Sequence, residues 1–212
     1  MSPSLATTSA AAASKSARPL AVAITGGIGA GKSAALAAFA RHGAATVSSD
    51  EIVHELLRED DEVRGALVER LGTGIVADDG EIDRSAVAEL VFADRAQLTW
   101  LEELLHPRVT REYLLWRERL AECADPPALC VTEVPLLYEV GGEARFDVVV
   151  VVTAPPEERA ARTSVAADGR ETRLLPDEEK VRRADFAYVN DGSLDELDGF
   201  VATVVDQLSR RP

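Results

Sequence analysis

The sequence predicts a doubly wound α/β fold, a parallel sheet flanked by helices and interrupted by a helical insertion. Three observations predict it. Residues 148–152 are five consecutive valines, a run suited to a central strand buried on both faces. Residues 20–25 (LAVAIT) form a second apolar run, which stops at Gly26-Gly27 ahead of an alanine-rich helical pattern. Between residues 50 and 120 the pattern is helical throughout.

Residues 1–18 (MSPSLATTSAAAASKSAR) have almost nothing to bury, so they are expected to form a disordered tail, leaving 19–212 as a single domain. After the strand at 20–25, a helix begins at Lys32, carries Leu36 and Phe39 at core spacing, and meets a stop signal at His42-Gly43. Residues 44–47 read as a second strand. In the helical middle, at about 51–122, Asp83 suits an N-cap before Ala86, Val87, Leu90 and Val91. Trp100, Leu101, Leu104 and Leu105 form another apolar face. Strand signals return at 128–134 and 146–152. Pro155-Pro156 opens an arginine-rich helix and loop, 186–189 reads as a short last strand, and 194–208 as a closing amphipathic helix.

The 23 basic and 37 acidic residues leave a net charge of −14, which disfavours any partner held along a polyanion, nucleic acid above all. A small anionic substrate remains compatible, because a local group of cations and helix N-termini can be positive inside an acidic shell. Cys123 and Cys130 have neither metal-ligand nor disulfide-framework spacing and are expected as free thiols. No stretch reaches the ~18 apolar residues of a membrane span, and the start lacks a secretory pattern. A cytoplasmic protein with no membrane association is the expectation, and no protein partner is implied.

Gly26-Gly27-Ile28-Gly29-Ala30-Gly31-Lys32-Ser33 fits G-x-x-x-x-G-K-[ST] and lies between a predicted strand and a predicted helix, as a phosphate-binding loop requires. Its glycines let successive N–H groups turn toward a phosphate, and the following helix adds its positive end. Gly29, Ala30, Gly31, Lys32, Ser33 and Ala34 are therefore the expected nucleotide contacts. Lys32 is suited to the β- and γ-phosphates, and the Ser33 hydroxyl to Mg²⁺. ATP and Mg²⁺ are the implied cofactors.

Beyond the loop, the chain resembles the dephospho-coenzyme A kinase family. The resemblance begins at Ile24-Thr25-Gly26-Gly27-Ile28-Gly29 and continues in order through Ser49-Asp50-Glu51-Ile52, Leu104-Leu105-His106-Pro107 and Val134-Pro135-Leu136-Leu137-Tyr138-Glu139. Its last landmarks are Glu179-Lys180, Ala184-Asp185 and Asn190-Asp191-Gly192. It implies a P-loop kinase-type sheet with a helical substrate-binding insertion and a short lid at about 157–180. The implied reaction is ATP-dependent phosphorylation of the ribose 3′-hydroxyl of dephospho-coenzyme A, the last step of coenzyme A biosynthesis. A kinase of related fold acting on another nucleoside or nucleotide hydroxyl, or a weakly catalytic nucleotide-binding relative, would share the loop.

Asp50, at the C-terminal end of the strand beside the loop, is the expected general base or orienter of the acceptor hydroxyl; an N-cap for the next helix is the plainer reading. Glu133 closes an apolar strand and could hold Mg²⁺ through water, or be an exposed strand end. His106 reads as a substrate contact or a helix-terminal histidine, with Arg108 just beyond it. The resemblance adds Leu137 on the substrate side and Asn190 on the adenine side. Arg159, Arg162, Arg170 and Arg173 fall where a lid would close; Arg159 and Arg162 are the expected phosphate contacts, a solvated helix face being the alternative. The chain also departs from the family pattern. Ser48 stands where an acid is usual, His54 replaces an arginine, Leu174 replaces a glutamine, and the lid around 164–172 is shortened.

Overall fold

The valine run forms the second strand from one edge of a five-stranded parallel sheet. A computed structural model describes residues 18–162 and 174–210. The expected tail up to residue 17, and the middle of the expected lid with Arg170 and Arg173, lie outside the described residues. The strands are β1 (Leu20–Thr25), β2 (Ala45–Ser48), β3 (Leu129–Glu133), β4 (Val148–Thr153) and β5 (Phe186–Val189), in the order β2-β3-β1-β4-β5. In register, Ala23 lies beside Thr132 of β3 and Val149 of β4. Every residue of β4 is buried, as five β-branched side chains in a row require of a strand covered on both faces.

The helices are α1 (Lys32–Arg41), α2 (Ser49–Glu59), α3 (Asp61–Leu71), α4 (Arg84–Ala93), α5 (Arg95–Ala121), α6 (Pro156–Arg162), α7 (Asp177–Arg183) and α8 (Leu194–Ser209). On one sheet face, Val22, Ile24, Val131, Val148, Val150 and Val152 pack with Leu36 and Phe39 of α1 and Leu197, Val201 and Val204 of α8. On the other face, Ala23, Val149 and Val151 meet Leu137 and Tyr138 of the loop after β3. Helices α2 to α5 build a separate cluster around Leu56, Val63, Leu67, Ile75, Val87 and Val109, and Phe146 packs against both this cluster and the sheet's second face.

The middle is less uniformly helical than its sequence suggests. A short 3-10 turn at Thr73–Ile75 and an antiparallel bridge between Val76 and Ile82 separate α3 from α4. The glycines and the Ala77–Gly80 turn break the helical hydrogen bonding there. Asp83 caps α4 as expected, accepting from the backbone of Ser85 and Ala86. Pro107 lies inside α5, where it can offer no N–H to the Glu103 carbonyl; one residue on, Arg108 donates its guanidinium to the Leu104 carbonyl at 2.9 Å.

Chain order places the functional end of the sheet. From β1 the chain crosses to β2 on one side, and β4 follows on the other side of β1, so the strand order reverses next to β1. A crevice opens outside the carboxyl ends of the strands at such a reversal, and the glycine-rich loop leaves β1 there. Cys123 and Cys130 are both free, the first exposed and the second buried. Among the described residues no helix is long and apolar enough to cross a membrane.

Candidate active site

The loop between β1 and α1 can exist only with glycine at its tight points. Gly26 has φ 145°, and a Cβ there would stand 1.9 Å from the Val152 carbonyl oxygen. Gly31 has φ 98°, and a Cβ there would stand 2.2 Å from Asn190 Nδ2. The space a side chain would fill is taken by the neighbouring strand end and by Asn190, so the backbone is gripped rather than merely flexible.

Asn190 makes much of that grip. Its buried side chain donates to the Ala30 carbonyl at 2.9 Å, while the backbone carbonyl of Asn190 accepts from Arg162 at 3.1 Å. Asn190 therefore clips the loop to the end of β5. Arg159 lies on the loop's other side: a Cβ on Gly27 would meet its Nη1 at 2.5 Å, and a Cβ on Gly29 its carbonyl oxygen at 3.0 Å. Asp177 holds the Arg159 guanidinium at 3.2 Å, and Arg159 Nε is buried without a hydrogen-bond partner. Arg162 is also paired with Glu158, at 3.1 Å.

Gly26, Ile28, Gly29, Lys32 and Ser33 line one side of a cavity of about 620 Å³, closed elsewhere by Asp50, Glu102, His106, Glu133, Pro135, Leu136, Glu139 and Leu174, among others. Of the expected nucleotide contacts, Ala30 is fully buried and Ala34 packs against the core, so these residues can offer a phosphate only their backbone N–H groups. Lys32 donates to the Gly27 carbonyl at 2.9 Å. Burial pushes its ammonium below the usual lysine range, and the charges of Glu133 and Asp50 pull it back up.

Glu133 is 5% exposed, which removes the exposed strand end as its explanation. Burial pushes its carboxyl up; Lys32 and the Ser33 hydroxyl oppose that rise. Ser33 Oγ lies 3.5 Å from Glu133 Oε1, two hard oxygen donors side by side at the mouth of a phosphate loop. Among the described residues no group of three or more His, Cys, Asp and Glu forms a cage for a metal. One hydroxyl and one carboxylate suit Mg²⁺, which takes few protein oxygens and fills its shell with water and substrate phosphate.

Asp50 is not an N-cap. Helix α2 starts earlier than expected, and Ser48 caps it, accepting from Asp50 N at 3.1 Å while its own N–H donates to Glu51 at 3.0 Å. Ser49 ties the same turn to the sheet through the Glu133 carbonyl at 2.8 Å. Asp50 is thereby left exposed on the wall of the cleft.

A second, mainly apolar pocket of about 240 Å³ adjoins the first. Asp50, Glu102, His106, Pro135, Leu136 and Val140 belong to both, and Val53, Leu101, Leu105, Val109 and Tyr113 complete much of the second. His106 is in the interior of α5, not at a helix end. Leu137 backs the second pocket and is fully buried. Arg108 lines neither; it turns away to Glu62 and Asp60 at 3.4 and 3.9 Å. Of the departures from the family pattern, Leu174 lines the larger cavity, whereas His54 is exposed outside both. Glu102, Asp177 and the buried pair of Glu139 and Lys180 were not expected at the site. Glu139 and Lys180 belong to landmarks of the resemblance, but their pairing, like the approach of Glu102 and Asp177, is visible only in space.

Comparison with known proteins gives a consistent result. The model of a family described as dephospho-CoA kinase matches residues 20–196. A dephospho-CoA kinase of Thermosynechococcus vestitus is 38% identical over 188 residues, covering 85% of this chain and 90% of the relative. One of Aquifex aeolicus is 34% identical over 197 residues, covering 90% and 98%. A crystal structure from Thermus thermophilus superposes with a TM-score of 0.69 at 34% identity, covering 91% of this chain and 99% of that one.

Proposed function

Because the chain belongs to the dephospho-coenzyme A kinase family, we propose that its cleft transfers the γ-phosphoryl group of ATP to the ribose 3′-hydroxyl of dephospho-coenzyme A, the last step of coenzyme A synthesis. The observation that carries this reading is the shared wall: Asp50 and His106 belong both to the cavity over the phosphate loop and to the apolar pocket beside it. A donor phosphate over the loop and an acceptor with a long, partly apolar tail in the pocket would meet at Asp50.

In this reading the backbone from Gly29 to Ala34 cradles the donor phosphates, Lys32 neutralises them, and Arg159 and Arg162 add positive charge from the opposite side. Ser33 and Glu133 would hold Mg²⁺, which would supply further neutralisation of the phosphate oxygens. The Asp50 carboxylate accepts the hydrogen of the acceptor hydroxyl and aims its oxygen, and a group so placed contributes about 10²–10⁴-fold. His106 fixes the acceptor against α5, and Leu136 with Leu137 behind it forms an apolar wall. Asn190 serves the nucleotide indirectly, by holding the loop. Phosphoryl transfer needs little from the protein beyond such positioning and charge stabilisation.

The test is ADP release with ATP–Mg²⁺ and dephospho-coenzyme A, compared with adenosine and a panel of nucleosides, with Lys32→Ala as the blank. Turnover with dephospho-coenzyme A and none with the panel is the expected result. Turnover with another acceptor alone would assign the cleft to a different hydroxyl.

A further inference from the structure

Helix α7 has its hydropathy reversed. In DEEKVRR the one apolar residue, Val181, is 38% exposed, whereas its neighbour Lys180 is fully buried. Burying an ammonium is costly unless it is paired, so a short charged helix that turns its lysine inward is held there by what the lysine meets. Lys180 Nζ lies 2.9 Å from Oε1 of Glu139, whose side chain is 12% exposed. The contact is off the hydrogen-bonding direction, and Lys180 Nζ and Glu139 Oε2 are both buried without a hydrogen-bond partner. Glu139 Oε1 also accepts from the Leu175 backbone at 2.9 Å.

One turn earlier on the same helix, Asp177 holds Arg159 at 3.2 Å, and Arg159 lies directly on the phosphate loop. Residues three apart in a helix share a face. Thus one face of α7 grips the phosphate loop through Asp177 and Arg159, and through Lys180 it grips Glu139, which itself lines the larger cavity and follows directly on Leu136 and Leu137 of the apolar pocket. Leu174, just ahead of the helix, lines the cavity between the two grips.

We propose that Asp177 and Lys180 are positioning residues that set the two walls of the cleft from a single helix, Asp177 fixing Arg159 over the phosphate loop and Lys180 fixing Glu139 and the acceptor-side turn. Neither touches substrate; each acts through the residue it holds. The proposal rests on the phosphoryl-transfer reading of the cleft, and it predicts a division of labour that a merely stabilising helix would not show.

The experiment is steady-state kinetics of Asp177→Asn, Lys180→Met and Glu139→Gln against both substrates, with thermal unfolding of each variant. Lys180→Met should raise the acceptor KM about tenfold or more and shift the ATP KM by less than about threefold, and Glu139→Gln, at a side chain that also lines the larger cavity, should raise the acceptor KM to the same extent. Asp177→Asn should do the reverse. The double variant Lys180→Met/Glu139→Gln should be no worse than its weaker parent, because both changes break one contact. Parallel changes in both KM values, or losses that disappear when the assay is run far below each melting temperature, would overturn the proposal. If Lys180→Met does not fold, the near-isosteric Glu139→Gln decides alone: an unchanged acceptor KM refutes the role of the pair. Wild-type protein that turns over no acceptor would refute the reading of the cleft, an outcome visible before any variant is compared.

Discussion

Asp50 occupies the second position of α2, where Ser48 has already capped the helix and leaves the Asp50 carboxylate on the cleft wall. Asp50→Asn keeps the size of the side chain and removes its capacity to take a proton. The variant should lose about 10²-fold or more in kcat with an ATP KM within about threefold of wild type, and wild-type kcat would remove Asp50 from the chemistry. Asn190 invites a different test, since its amide donates to the Ala30 carbonyl. Asn190→Ala leaves that buried carbonyl unpaired and should cost about 1–3 kcal/mol in urea unfolding, together with weaker ATP binding. A contact to adenine alone would weaken binding and leave the unfolding midpoint unchanged. The placement of Lys32, Ser33 and Glu133 in one cleft was legible in the sequence because loop motif and strand end are local patterns. The contact between Asn190 and the loop was not, because it joins the end of β5 to a residue 160 positions away in the chain.

At the scale of elements, the start of α2 explains a departure that the sequence alone presents as a loss. Ser48 stands where the family pattern has an acid, and in the structure it is an N-cap with a full capping box. Serine and aspartate are equally good caps, so either residue can start this helix. Ser48→Asp should therefore keep stability within about 0.5 kcal/mol, whereas Ser48→Ala should cost about 1 kcal/mol, both measured by urea unfolding. A loss of similar size in both variants would contradict the capping role. The strands and most helix starts were readable from apolar runs and stop signals. The break between α3 and α4 was not, because its bridge between Val76 and Ile82 depends on a turn rather than on any periodicity. Helix α7 hid its function for a related reason: six of its seven residues are charged, and composition cannot show which of them points inward.

At the scale of the whole molecule, the described chain begins with a clamp. Both terminal nitrogens of Arg18 bond Asp147 at 2.7 Å, and Asp147 also accepts from the Ala21 backbone at 2.8 Å, fixing the start of β1 to the start of β4. The Arg18 hydrogen bonds hold the Asp147 carboxyl below the usual carboxylate range despite partial burial. A depressed folded-state value stabilises the fold above about pH 4, and that stabilisation fades as the pH falls through the depressed value. Asp147→Asn should accordingly be less stable than wild type near pH 7 and should decline less on acidification from about pH 4 to 2. Parallel acid curves for the two proteins would refute the clamp's contribution. The same strands carry the phosphate loop at their other end, so the fold, the reversal of strand order beside β1 and the junction of two cavities at Asp50 form one arrangement.

The central claim is tested most directly by identifying the product. Protein incubated with ATP–Mg²⁺ and dephospho-coenzyme A, analysed by phosphorus NMR and mass spectrometry, should yield ADP and an acceptor heavier by one phosphoryl group, with a new monoester signal coupled to the ribose 3′ proton. ADP without a phosphorylated acceptor, or a phosphoryl group at any other position, would contradict it.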